Sequence, residues 1–376
     1  MGQFKYNIFI NATAIQPGGG HTILLQFLKA YTEHPLPDTR VFVFNSIGLK
    51  DYLSPEIISV EMPIFNFLQR IYWDSAGMKQ WASKNNIRPD LLLSFQNTGV
   101  RFPGIPQIIY LQQSIPFTKH QWNPFKKGQR NLWRYKNIYS FFIGLYLFKY
   151  THVVVQTKWM KQAFLKKFNT HNPEKVHVFS PEIDIVDVNE IHVEDFDAIE
   201  PSTFNFFYPA TSFIYKNHIE IIKAFAAIKK ENKLGNIRCY FTISFDELSK
   251  EAQQLIIINE LYSNFVFLGA LSLRQVYYYY TSLDALIFPS YIETIGLPLI
   301  ESAGCGLPIL VADEPYSREV LKSYDNVRYA KTKDTDDWKN KIYEVLELKK
   351  TYPQKIRISE EGWQNMLQLT EFLIKT

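Results

Sequence analysis

Apolar runs of strand length recur along the chain, and segments with helical character lie between them. In the first half the runs are Tyr6–Ala12, Val41–Asn45, Leu91–Phe95, Gln107–Leu111 and His152–Gln156, with His21–Tyr31 and Lys158–Phe168 reading as helices. Continuous apolar strands, as opposed to alternating ones, are those of a parallel sheet buried on both faces. A stretch from about Pro181 to Pro201 is acidic and bears proline, as a linker does, and the pattern then restarts. The second set of strands is Asn205–Tyr208, Cys239–Ile243, Phe265–Leu268, Ala285–Phe288 and Pro308–Ala312. Helices are expected at Ile219–Lys230, Glu247–Glu260, Leu273–Ser282, Pro298–Gly304, Asp336–Leu348 and Glu360–Ile374.

This pattern predicts an α/β protein of two Rossmann-like, doubly wound parallel-sheet domains. The boundaries read as 1–180 for the first domain, 181–202 for the acidic linker, 203–352 for the second domain and 353–376 for a terminal helix. Such sheets bind ligands at the carboxyl ends of their strands, so a cleft between the two is the expected site. A length of 376 residues agrees with two domains. With 46% hydrophobic and 21% charged residues, 16 Gly, 19 Pro and no short repeat, disordered, collagen-like and solenoid readings fall away. Cys239 and Cys305 are the only cysteines, which leaves no disulfide framework and no cysteine cluster for zinc. No apolar run reaches the roughly 20 residues that span a bilayer. Residues 1–6 lead straight into a strand-like run, so no cleaved signal is expected and the location reads as cytoplasmic.

Charge changes the picture more than its net value of +4 suggests. No Asp or Glu lies between Asp90 and Glu174, a stretch that holds twelve Lys or Arg, among them Lys126, Lys127, Arg130 and Arg134. Trp122, Phe125, Trp133, Tyr135, Phe141 and Phe142 are interleaved with them. Cations beside aromatic and aliphatic side chains suit an anionic lipid surface, each cation contributing about 1 kcal/mol there. The competing reading is a buried helix with solvated basic flanks, since Ile138–Phe148 is too short to cross. No nucleic-acid module accompanies the block, and nucleic acid is not an expected partner.

The sharpest local string is ETIGLPLIESAGCGLPIL from Glu293 to Leu310. It follows a strand, and Pro298 stands where a helix begins, a position that suits a residue without an N–H. The N–H groups of Thr294, Ile295, Gly296 and Leu297 can converge there on an anion. Gly296 permits close approach of a ligand, and Glu301, one turn inside, can accept bonds from sugar hydroxyls.

The string resembles that of the family 4 retaining glycosyltransferases of the GT-B fold, with Glu293 and Glu301 as the paired glutamates. The resemblance implies that Glu293 meets the donor sugar, that Glu301 holds the ribose, and that the amides of Thr294–Leu297 hold the diphosphate. Tyr208–His218 is similar to the family's first strand and loop of the second domain, where Lys216 falls on the diphosphate-binding lysine. Thr211 and Ser212 stand where the family has an arginine. Gly18–Gly20 matches a glycine-rich turn near the donor phosphate, which puts Gly19 and Gly20 among the donor-binding residues. Gln112 and Gln113 occupy the place of a sugar-contacting histidine; either amide can bond a sugar or acceptor hydroxyl, but neither is an acid or base. His21 and His120 read as structural. Asn264–Leu268 followed by Gly269 resembles the strand that reads the nucleobase, and the terminal helix resembles one that returns to the first domain.

The implied activity is retaining transfer of a hexose from a GDP- or UDP-linked sugar to a glycan or lipid-linked acceptor, in lipopolysaccharide or capsule synthesis. It would run without a metal or other cofactor, with Glu293 and Lys216 as the catalytic pair. The place implied is the inner face of the bacterial cytoplasmic membrane, held peripherally through residues 119–150. Asp195-Phe196-Asp197 mimics a metal-binding triplet but reads as surface charge in the linker. Two other readings stay open: a non-catalytic sugar-nucleotide-binding partner of a membrane assembly, and a GT-B-fold sugar-nucleotide epimerase.

Overall fold

The computed structural model describes residues 4–16, 18–46, 48–49, 54–64, 66–181, 199, 202–353 and 362–376. Most of the acidic linker, the Asp195–Asp197 triplet included, lies outside them. The chain divides into unit 1, residues 1–182 with 358–376, and unit 2, residues 183–357.

Unit 1 runs β1 (Tyr6–Ala12), α1 (Gly19–Glu33), β2 (Thr39–Asn45), β3 (Ile57–Glu61), α2 (Phe67–Tyr72), α3 (Met78–Lys84), β4 (Leu91–Ser94), β5 (Gln107–Leu111), α4 (Arg130–Asn137), α5 (Tyr139–Leu145), β6 (Thr151–Val155), α6 (Lys158–Lys167) and β7 (Val176–Val178). A π-helical turn, Trp73–Gly77, joins α2 to α3. The sheet is ordered β3-β2-β1-β4-β5-β6-β7 with every pair parallel. Ile8, Phe9 and Ile10 of β1 are all buried because both sheet faces are covered. On one face Ile8 and Ile10 pack with Phe27 of α1 and with Trp363 and Met366 of the terminal helix Gly362–Lys375. On the other, Phe9 packs edge-on with Phe42, Phe44 and Trp81. Each fully buried side chain of this kind contributes about 1.5–3 kcal/mol. Gly362 is a packing requirement: a Cβ there would lie 1.8 Å from the Ser180 carbonyl oxygen, so no larger residue lets the terminal helix seat.

Unit 2 repeats the winding: β8 (Phe204–Tyr208), α7 (His218–Lys230), β9 (Ile237–Phe241), α8 (Lys250–Ile258), β10 (Phe265–Phe267), α9 (Leu273–Ser282), β11 (Ala285–Phe288), α10 (Leu297–Gly304), β12 (Ile309–Ala312), α11 (Pro315–Val320), β13 (Val327–Ala330) and α12 (Thr335–Leu346). Its sheet order is β10-β9-β8-β11-β12-β13, again parallel throughout. In both units the order reverses beside the first strand, between β1 and β4 and between β8 and β11. Loops leaving adjacent strands there run in opposite directions and open a crevice.

Several details differ from the sequence reading. The first helix starts at Gly19, so Gly19 and Gly20 form its first turn and are not loop residues. Gly18, at φ 135°, supplies the turn instead, and first-turn N–H groups need no partner within the helix. The expected helix Glu247–Glu260 is a 3-10 turn, Phe245–Glu247, followed by α8, because Ser249 caps a fresh start through Ala252 N–H. Strands β3, β7 and β13 were not expected.

Candidate functional site

The reversal point of the unit 2 sheet brings together Lys216 and Glu293. After β8 the chain passes through a 3-10 turn, Ile214–Lys216, and Asn217 enters the left-handed region at φ 59° before α7 begins. After β11 it reaches Gly296, at φ 78°, and then α10. A side chain at Gly296 would be strained by that φ, and its Cβ would lie 3.2 Å from the Tyr316 ring. The two loops are tied by Tyr291 N–H donating to the Tyr215 carbonyl at 3.0 Å. Tyr316 hydroxyl fixes the Ser290 carbonyl at 2.6 Å, and Tyr208 hydroxyl donates to the Lys216 carbonyl.

On this frame Lys216 Nζ donates to Glu293 Oε1 at 2.6 Å, with the side chains 17% and 15% exposed. The ammonium also lies 5.8 Å from the centre of the Phe288 ring. Its charge reaches His218, whose pKa is lowered to about 3, first by burial and then by Lys216. His218 therefore stays neutral, and its buried Nε2 has no partner among the described residues. Thr294, Ile295, Gly296 and Leu297 follow Glu293 around the turn, and the first N–H groups of α10 have no acceptor within the helix.

Glu301 does not share the partner of Glu293. The Tyr280 hydroxyl of α9 donates to Glu301 Oε2 at 2.9 Å. Burial raises the Glu301 pKa, and the bond from Tyr280 opposes the rise. Tyr280 was not singled out in the sequence, where it ends a run of four tyrosines within the expected helix Leu273–Ser282; all four are buried. Strand β10 lies at the sheet edge, followed by Gly269 at φ 69°.

The other sequence candidates gather in unit 1, at its own reversal point. A groove of about 340 Å³ is lined by Gly18–Gly20, Gln96, Asn97, Gln112, Gln113, Arg70 and Tyr139. Gln112 is fixed at two points: its backbone N–H donates to the Asn97 side-chain Oδ1 at 2.7 Å and its side-chain Nε2 to the Phe95 carbonyl at 2.9 Å. Gly20 closes on it, where an added Cβ would stand 3.4 Å from Gln112 Nε2. Gln113 Oε1 accepts from Ile115 N–H at 3.2 Å.

Beneath this groove lies a buried polar network that no linear motif announced. Asp74 accepts from Asn11 Nδ2 at 2.8 Å, Gln96 Nε2 at 2.9 Å and Thr98 Oγ1 at 3.2 Å, with Arg70 Nε at 3.8 Å. Arg70 Nη2 donates to the Gln96 carbonyl and the Thr98 and Tyr139 hydroxyls. Burial pushes the Asp74 pKa up to about 6 against the lowering by Arg70 and the three donors. One signal was available: Asp74 is the only acid between Glu61 and Asp90, set in the aromatic run Ile71–Trp73. Among the described residues, no three His, Cys, Asp or Glu side chains are grouped to hold a metal ion.

Residues 195–362 match the family described as glycosyl transferases group 1. Over 213 residues the chain is 23% identical to the O-antigen chain mannosyltransferase RfbU of Salmonella typhimurium; the match covers 57% of this chain and a little over half, 56%, of that relative. Among solved structures, Alr3699/HepE of Anabaena, in complex with UDP and glucose, matches with a TM-score of 0.64 at 14% identity, over 99% of this chain and 100% of that one. WaaG, a glycosyltransferase involved in lipopolysaccharide biosynthesis, matches with a TM-score of 0.64 at 14% identity, over 91% of this chain and 90% of that one. These structures share the fold of two doubly wound parallel-sheet units.

Proposed function

We propose, with a second unit matching the group 1 glycosyl transferases as premise, that this chain transfers a hexose from a nucleotide diphosphate sugar to a glycan or lipid-linked acceptor. The observation that carries the reading is the Lys216–Glu293 ion pair at the unit 2 reversal point. Breaking the bond from the anomeric carbon to a diphosphate builds negative charge on the leaving group while the sugar becomes cation-like. The largest gain in rate then comes from fixed donors and positive charge at the diphosphate. In this reading Lys216 leaves Glu293 for the diphosphate, and the amides from Thr294 to Leu297 complete the cradle. Glu293, released, orients the sugar, and Glu301, held by Tyr280, accepts from the ribose.

The reaction is retaining: the acceptor attacks on the face the diphosphate leaves, and a diphosphate oxygen takes its proton. Lys216 supplies the charge neutralisation, so the reading assigns no metal. The unit 1 groove, with Gly19, Gly20, Gln112 and Gln113 in its lining, receives the acceptor. RfbU and WaaG by their names work on O-antigen and lipopolysaccharide, which supports a cell-surface glycan as product. The basic segment 119–150 supports a peripheral place on an anionic membrane facing the cytoplasm.

The test is transfer by purified protein with UDP- and GDP-sugars, the donor first chosen by thermal shift; a ligand at about a hundred times its dissociation constant adds about 2.7 kcal/mol. Lys216→Ala and Glu293→Ala should each lower transfer by roughly 10²–10³ with an unchanged melting temperature. Full activity in either variant removes the site assignment. Activity should survive EDTA, and a strict need for added manganese contradicts the mechanism.

A further inference from the structure

One face of unit 1 is apolar where solvent meets it. Helix α2 exposes Phe67, Leu68 and Tyr72, with Leu68 76% exposed, while Ile138, Phe141 and Leu145 are exposed in and around α5. These segments are far apart in the sequence but form one surface. The rings of Phe67 and Phe142 meet edge-on at 5.0 Å, and Arg70 of α2 donates to the Tyr139 hydroxyl of α5 at 3.1 Å. Phe67 and Ile71 line a small cavity together with Phe142 and Leu145. Single exposed apolar side chains are ordinary, whereas a contiguous cluster marks an interaction surface.

The surrounding charge selects the partner. From Glu61 to Glu174 the only acids are Asp74, which is buried, and Asp90. Lys126, Lys127, Arg130 and Arg134 are exposed, and Phe125 beside them is 94% exposed. Helix α4, which carries Arg130 and Arg134, leads directly into α5, and the rings of Tyr135 and Tyr139 lie 5.4 Å apart. An apolar cluster joined to a basic helix and poor in carboxylates complements an anionic bilayer; a protein of mixed surface charge would not call for the absence of acids.

We propose that α2 is a membrane-inserting element: Phe67 and Leu68 enter the headgroup–acyl boundary of an anionic bilayer together with Phe141 and Leu145, forming a seat of two segments. This rests on the membrane reading of residues 119–150 and extends it to a helix outside that block. Arg70 and Tyr139 line both the α2–α5 cavity and the groove at the unit 1 reversal point. The seat therefore borders the groove, and the head group of a lipid-carried acceptor meets it from the bilayer side.

The test is co-sedimentation of the full chain, without any nucleotide sugar, with vesicles of phosphatidylcholine alone or mixed with phosphatidylglycerol. The wild type should bind only the mixed vesicles. Leu68→Glu and, separately, Phe141→Glu should each weaken that binding about tenfold or more while the melting temperature and the shift produced by UDP or GDP stay as in the wild type. Unchanged binding in both variants overturns the proposal, as does a wild type that ignores both vesicles. A wild-type dimer that Leu68→Glu dissociates also overturns it, by assigning the face to a second copy. Vesicle binding by a chain that transfers no sugar keeps the seat and sinks the enzymatic reading; transfer to a soluble acceptor without vesicle binding does the reverse.

Discussion

At the reversal point of unit 2 a lysine and a glutamate meet 2.6 Å apart on two loops, whereas at the same point of unit 1 Arg70 and Asp74 stand 3.8 Å apart, with Asp74 buried among neutral donors. The difference is one of alternatives. Among the described residues Lys216 and Glu293 form an ion pair only with each other and can trade it for a phosphate or a hydroxyl. Arg70 and Asp74 are committed to Asn11, Gln96, Thr98 and Tyr139, which come from β1, the segment after β4, and α5. A buried pair of this kind is a poor source of net stability, yet breaking it is costly because it strands a charge. The unit 2 pair is suited to exchange partners, and the unit 1 pair is suited to hold a groove in shape.

The sharpest way to break this comparison is Asp74→Ala, the largest expected effect. It strands the Arg70 guanidinium and should lower folding stability by about 3–5 kcal/mol in denaturant melts. Lys216→Ala, measured alongside, should cost less, because it strands a single carboxylate that keeps some solvent contact. Equal losses would mean that the two pairs are built alike.

Next comes Tyr280→Phe, which should weaken nucleotide binding by roughly tenfold, as expected for one hydrogen bond to a charged group. Tyr280 holds the Glu301 pKa down, so its removal lets that pKa rise further. Binding that needs the carboxylate should then fail at a higher pH than in the wild type; donor KM measured against pH reports it. An unmoved acid limb would reduce Tyr280 to packing.

The smallest effect concerns acid stability in unit 1. His152 Nδ1 and His177 Nε2 stand 2.9 Å apart on β6 and β7. Burial and then the neighbouring His177 lower the His152 pKa from 6.5 to about 4. Between those values the unfolded chain binds the extra proton, so the contribution of His152 is complete above 6.5 and is lost as pH falls toward 4. Asp74 has the opposite sign: folded at about 6 against 3.8, its contribution is complete below 3.8 and is lost as pH rises through 6. His218, lowered to about 3, acts in the same direction as His152, so the wild type should lose stability as pH falls from 6.5 toward 4, with Asp74 offsetting part of the loss. His152→Gln, compared with its own value at pH 7, should lose less stability on acidification than the wild type does in thermal melts.

Where local sequence decided the outcome, it was legible. Buried central strands such as β1, β5 and β11 are predominantly apolar because both faces are covered. The strands that went unseen, β3, β7 and β13, are half-exposed edge segments, IISVE, VHV and VRYA, too short and too mixed with polar residues to stand out as apolar runs. The meeting of Lys216 with Glu293 could be anticipated because each lies in a compact string after its strand. Tyr280 could not, since its bond to Glu301 crosses from α9 to α10 and a tyrosine in a core run carries no mark of it. The Asp74 network is drawn from four separate stretches, and only the fold puts them together.

The close seat of Gly362 against Ser180 has a consequence for biosynthesis. Unit 1 takes two core side chains, Trp363 and Met366, from a segment that follows unit 2 in the chain, so they emerge after the whole of unit 2 has been translated. An emerging chain can thus complete the second unit before the first, whose sheet must wait with Phe27 and Tyr110 uncovered until Trp363 leaves the ribosome. A stop codon just beyond unit 2 would injure the amino-terminal half of the protein rather than the carboxyl-terminal half.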